Sequence, residues 1–301
     1  MKTRCLVSFV LFAAGCFLRA ETAPEAKFDT AKIEAITGLK GKLNEQEGVF
    51  KVTVPRNDMK ITVDGWQMPP FMGLTSWAGF KNGAAAETMV MGDLVLMQDE
   101  VNPVMSALLN SGLAVTALHN HFLFDEPKVY FMHIGGEGPV EKLAAGVRAA
   151  FEKVKEIRAA QPEVAKSFGK PFVPGSNSIT ADKLTEIFGI KGDAKDGMFK
   201  VVIGRTAKMP CGCEAGKEMG VNTWAAFAGT DQDALVDGDF AVLESELQPV
   251  LQSLRKSGVN IVAIHSHMTG ETPRILFLHY WGRGQAAELA KAVKAALEVA
   301  K

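Results

Sequence analysis

The sequence predicts an α+β fold built twice: two tandem homologous repeats, each a mostly antiparallel sheet with helices packed on it, related by a pseudo-twofold axis. Three observations predict it. Long stretches recur in the same order, hydrophobic periods of two and 3.6 alternate within each recurrence, and all six histidines fall in two copies of one spaced pattern. "TAKIEAITGLKG" (30–41) returns as "TADKLTEIFGIKG" (180–192), "GVFKVTVPR" (48–56) as "GMFKVVIGR" (197–205), and "MGLTSWAGF" (72–80) as "MGVNTWAAF" (219–227). The longest match sets "MGDLVLMQDEVNPVMSALLNSGLAVTALHNH" beside "DGDFAVLESELQPVLQSLRKSGVNIVAIHSH". The copies span 28–158 and 176–301, and the Pro-, Gly- and Ser-bearing stretch 159–175 joins them.

Residues 1–20 differ in character from the rest of the chain. Two positive charges in "MKTR" precede the apolar run "CLVSFVLFAAGCFL", which reads as an export signal and is too short for the usual spanning helix. Cleavage after Ala20 gives a secreted chain. "AAGC" instead resembles a lipoprotein signal ending before Cys16, which would leave a lipid anchor as the only membrane attachment. Both readings place the mature protein outside the cytoplasm, in the periplasm or cell envelope. A net charge of −1 with mixed signs supplies no basic field for nucleic acid.

Within the first copy, "TAKIEAITG" has helical spacing with a Gly stop, while "GVFKVTV" and "MKITVDG" alternate as strands of an expected hairpin. A short amphipathic helix comes next, with Pro103 in its first turn, Val101, Val104, Met105 and Leu108 on one face and Gly112 as its stop; Gln248, Pro249 and Gly258 repeat that punctuation. Period two then puts Leu113, Val115, Ala117, His119 and His121 on one side of a strand, as it does Val259, Ile261, Ala263, His265 and His267. After a loop, Val129, Phe131 and His133 share a face, like Ile275, Phe277 and His279. An amphipathic helix from about Pro139 closes the unit.

Two imidazoles from one strand and a third from its neighbour can converge on a cation, since strands lie about 4.8 Å apart. His119, His121 and His133, and again His265, His267 and His279, therefore form the expected divalent metal site of each repeat, with zinc as the default ion. Three protein ligands leave a coordination position open for water or a ligand. Asp125, Glu126 and Glu271 stand in the adjoining loops as further ligands or orienting groups, and Glu126 is the candidate general base, replaced by Thr272 in the second copy. Asp93, Glu100, Asp239 and Glu246 read as turn and helix-entry residues. The competing reading makes the histidines ordinary sheet residues inherited through duplication.

Other features are less specific. Cys211 and Cys213, one residue apart, read as a thiolate ligand pair, a redox pair or a loop thiol pair, and export permits a disulfide. "HIGGEGPV" lacks the spacing and the Lys of a phosphate loop, and no G-x-S-x-G elbow accompanies the histidines. Trp77 and Trp224 read as core filling or as an aromatic wall for a ligand.

At "PPFMGLTSWAGF", at the long segment around His119, His121 and His133, and at the repeats of both, the chain resembles the bacterial family of unknown function related to the mycobacterial lipoproteins LppY and LpqO. The resemblance implies export, frequent lipid anchoring and tandem domains, and brings no established activity. The H-x-H pattern with an acid shortly after it also resembles the cupin metal motif, but His133 and His279 come within one hairpin and an amphipathic helix precedes the motif, both foreign to a jelly roll. Two functional readings remain: an exported metalloprotein, with a metal-dependent hydrolase as its enzymatic form, and a non-catalytic envelope module that binds a small molecule or metal.

Overall fold

A computed structural model describes residues 29–169 and 175–300; the export segment and Cys16 lie outside that range. The first copy runs α1 (Thr30–Thr37), β1 (Gly41–Asn44), β2 (Val49–Pro55), β3 (Thr62–Val63), β4 (Trp66–Gln67), β5 (Thr75–Asn82), β6 (Thr88–Met97), α2 (Val101–Asn110), β7 (Ala114–His119), β8 (Asp125–Glu126), β9 (Val129–Gly138) and α3 (Val140–Ala160). The second repeats it as α4 (Ala181–Phe188), β10 (Asp193–Lys195), β11 (Met198–Gly204), β12 (Ala207–Lys208), β13 (Glu214–Ala215), β14 (Asn222–Gly229), β15 (Ala234–Leu243), α5 (Glu244–Lys256), β16 (Asn260–His265), β17 (Ile275–Gly284) and α6 (Ala286–Val299). Among the described residues no helix is long and apolar enough to cross a membrane.

The two copies share one antiparallel sheet of 12 strands, ordered β1-β2-β5-β6-β9-β7-β16-β17-β15-β14-β11-β10. Corresponding strands therefore occur in reversed order on either side of the β7/β16 seam. The helices lie on one face of this sheet: one apolar core joins Ile33, Val104 and Leu143 of the first copy to Leu184, Leu251 and Val293 of the second. On the other face each copy carries a small flap. Ile61, Met68 and Leu74 pack there on Val95, Val129 and Phe131, and Ala207, Ala215 and Val221 pack on Ala241, Ile275 and Phe277. The expected hairpin of "GVFKVTV" with "MKITVDG" does not form. β2 pairs with β1 and β5, whereas β3 belongs to a separate sheet with β4 and β8.

A bulge decides which way the histidines point. β7 pairs with β9 through Val115↔Ile134 and then Ala117↔His133, so two steps on β7 match one on β9; β16 and β17 repeat this between Ile261 and Ala263. Leu113, Val115, Val259 and Ile261 accordingly sit in the helix-side core, and the expected single stripe through the histidines is broken. The extra residue reverses the alternation, so that Ala117 and His119, like Ala263 and His265, emerge on the opposite face.

The seam itself is thinly bridged. Among the described residues Leu118↔Ile264 is its one paired position, and two side-chain amides supply what a longer ladder would. Asn102 of α2 accepts from Ile261 N at 2.8 Å and donates to Ile261 O at 3.0 Å; Gln248 of α5 does the same for Val115 at 3.0 and 2.8 Å. Each copy's helix thus satisfies the peptide group at the other copy's bulge. Asn102→Ala and Gln248→Ala each leave such a peptide unpaired, with an expected loss of about 1–3 kcal/mol. Urea midpoints of the two variants, with the slope unchanged, provide the check.

Candidate metal centre

β7 and β16 deliver His119 and His265 at their C-terminal ends, and His121 and His267 come two residues later in the adjoining loops. His133 on β9 stands opposite Asp93 on β6, and His279 on β17 opposite Asp239 on β15. The six histidines are thereby brought together in threes on the face away from the helices, each trio beside a buried or half-buried aspartate. His119 Nε2 lies 3.1 Å from His121 Nε2, and His265 Nε2 3.0 Å from His267 Nε2. His119 stacks on His133 with centroids 5.2 Å apart, and His265 on His279 at 4.7 Å. The outer rings lie flat on the flap cores, His121 on Phe131 at 3.3 Å and His267 on Phe277 at 3.5 Å, which fixes their planes.

Asp239 completes the second cluster. Its Oδ2 is 3.3 Å from His267 Nε2, and one donor atom each from Asp239, His265 and His267 lie within 4.8 Å of one another. Burial pushes the Asp239 pKa up, with His279 and His267 opposing the shift. Burial also lowers His265 to about 4, helped by His279 and His267, and lowers His119 and His121. These imidazoles are therefore neutral near pH 7, the form that coordinates a metal. Asp93 Oδ1, Asp239 Oδ1 and His265 Nδ1 are buried without hydrogen-bond partners. Unsatisfied acceptors beside neutral imidazoles are what a cation would complete, and among the described residues the set whose donor atoms converge closely enough to hold one is Asp239, His265 and His267.

Asp93 and Asp239 are the residues that sequence reasoning misplaced. Both lie inside strands, not at turns, and a signal for them existed: a Gly-Asp step at a matched position in a mostly apolar strand of each copy. The loop acids Asp125 and Glu271 bind backbone, and Glu271 keeps Oε2 buried without a partner. Asp125 Oδ2 accepts Val129 N at 2.7 Å and Glu271 Oε1 accepts Ile275 N at 3.2 Å, so both carboxylates hold the return into β9 and β17. Glu126 is exposed on β8, paired through its backbone with Thr62, and its carboxylate forms no hydrogen bond or ion pair with the histidines. Glu100 and Glu246 do stand at helix entries, binding Met97 N and Leu243 N. Cys211 and Cys213 are joined as a disulfide. Trp77 and Trp224 flank the aspartates in register, with Lys51 and Lys200 Nζ at 4.1 and 4.4 Å over their rings. The "GG" of "HIGGEGPV" lies within β9.

Fold and site together define an α+β protein whose continuous sheet carries a duplicated histidine and aspartate cluster. The chain belongs to the family described as Domain of Unknown Function (DUF1259), whose model matches residues 31–153 and again 182–299, so the domain is present in tandem. No curated protein matches. Among solved structures a trimeric bacterial microcompartment shell protein, PduB, is similar at 13% identity over 86% of this chain and 89% of that one, with a TM-score of 0.22. A likeness at that score carries no argument about fold or function.

Proposed function

We propose that this is an exported metal-binding protein holding one divalent cation in each repeat: Asp93, His119 and His121 beside His133 in the first, and Asp239, His265 and His267 beside His279 in the second. The observation that carries the reading is the convergence of Asp239, His265 and His267 within 4.8 Å, with a buried Asp239 oxygen left unpartnered. The mirrored strand order and the central Leu118↔Ile264 bridge support a pseudo-twofold axis relating the two centres. Zinc is the default ion, because imidazole and carboxylate donors suit it. The apolar run at the N-terminus supports delivery to the periplasm or envelope, by secretion or through a lipid on Cys16, and kinship with the LppY and LpqO lipoproteins belongs to the same proposal.

Metal binding without turnover is the reading the geometry supports best, since Glu126, the candidate base, is exposed and forms no hydrogen bond or ion pair with the rings. A metal-dependent hydrolase is the second reading. It is favoured by the solvent-facing side of each cluster, where His121 and His267 are exposed and a metal-held water would ionise more readily than in bulk. Elemental analysis of untagged protein tests the primary reading. Two equivalents of metal per chain are expected, falling to one in the variant with His119→Ala and His121→Ala; absence of metal after reloading with zinc, copper, iron and nickel in turn overturns it.

A further inference from the structure

A cavity of about 460 Å³ lies where the two copies meet, between the start of α2, the start of β16 and residues 165–168 of the connector. Its apolar lining includes Val101, Pro103, Tyr130, Phe168, Ile261 and Val262, and its polar lining includes Arg255, Asn260, Lys166 and Asp99. This is the size and lining of a small-molecule site, an apolar body with a few convergent polar groups.

Arg255 is the residue that needs an explanation. Its Nε donates to Ser106 Oγ at 3.1 Å, and Nη1 donates to Val259 O and Asn260 Oδ1, both at 2.8 Å. All three acceptors are neutral. Among the described residues no carboxylate pairs with Arg255, and its Nη2 makes no hydrogen bond. Asp99, the acid on the cavity wall, meets Arg158 and Ala165 N through Oδ2, while its Oδ1 is buried without a partner. Burial lowers the Arg255 pKa to about 10, with no neighbouring acid to restore it. At the matching place the first copy carries Leu109, which is 5% exposed and part of the core. Duplication therefore placed leucine and arginine at one structural position, where the arginine is partly buried and has only neutral partners.

We propose that this junction cavity binds a small amphipathic organic carboxylate, its anion paired with the free Nη2 of Arg255 and its apolar body against Tyr130, Ile261 and Val262. Lys166, which forms no ion pair among the described residues, adds a second positive charge at the rim. A guanidinium–carboxylate pair is stronger than a neutral hydrogen bond, so the ligand's charge decides affinity. This site is separate from the metal centres and stands whether or not they bind metal.

Calorimetric titration with phenylacetate and with octanoate tests it, with phenylacetamide as the uncharged comparison. One carboxylate is expected to bind per chain and to raise the melting temperature, with the amide at least about tenfold weaker. Arg255→Leu, which restores the first copy's residue, is expected to remain folded and to lose at least about tenfold in carboxylate affinity. His265→Ala is expected to bind the carboxylate as the unaltered chain does, which separates this site from coordination to metal. Failure of both carboxylates to bind, equal affinity for the amide, or undiminished binding by Arg255→Leu each overturns the proposal.

Discussion

Glu100→Ala is expected to lower the unfolding free energy by about 3–5 kcal/mol, the range for removing one partner of a buried ion pair. Glu100 is fully buried, and Arg56, which it meets through both carboxylate oxygens at 2.6 and 2.9 Å, is 3% exposed. The same carboxylate accepts from Met97 N and lies 3.0 Å from Arg158 Nε. Burial alone would depress the Arg56 pKa; its bonds to Glu100 and Asp58 more than reverse that. Removing Glu100 leaves the guanidinium dependent on Asp58, which is partly exposed, and strands a peptide N–H at the entry to α2. The second copy supplies an internal comparison. Arg205 meets Glu246 at 2.6 Å, but the arginine side chain is 24% exposed, so Glu246→Ala leaves a charge that water reaches and is expected to cost less, about 1.5–3 kcal/mol. Urea denaturation of the two variants side by side checks both values. Equal midpoints would show that burial of Arg56 does not set the cost.

The duplication, the helices and the grouping of the histidines were legible in the sequence because each rests on local pattern. Val101, Val104, Met105 and Leu108 do face the core, and Gly112 does end the helix with φ at 78°. The features that were not legible depend on partners distant in the chain. Period two counts residues without knowing their pairing, so it runs straight through the bulge after Val115 and assigns Leu113 and His119 to one face. The bulge is forced by register with β9 and by the amide of Gln248, 133 residues away, which no window around β7 contains. The meeting of β7 and β16 was equally hidden: one bridged pair and two amide side chains leave no compositional mark. Asp93 and Asp239 were missed for a related reason. Gly-Asp is common turn chemistry, and only the pairing of β6 with β9 and of β15 with β17 shows that these carboxylates face imidazoles.

The placement of Asp239 against imidazoles gives the sharpest test of which acids hold metal. Asp239→Ala is expected to weaken the second repeat's ion by at least ~100-fold, more than loss of a supporting group around a metal usually costs. Glu126→Ala is expected to leave metal affinity unchanged, because its carboxylate does not contact the histidines. The stability of the metal-free chain runs the other way. Asp239 Oδ1 is buried and unpartnered, and burial raises the carboxyl's pKa against the pull of His279 and His267, so the desolvation cost that its removal relieves outweighs the lost 3.3 Å contact with His267 Nε2. Metal-free Asp239→Ala should therefore melt at or above the temperature of the unaltered chain. With zinc added the order reverses, since a ligand at a hundred times its Kd stabilises the folded state by about 2.7 kcal/mol and the variant's second site forgoes that gain. Melting curves with and without zinc, together with competition against a chelator of known affinity, measure both effects on the same samples. A variant that is destabilised without metal and unchanged with it would make Asp239 a structural residue of β15 and return the second site to its three histidines.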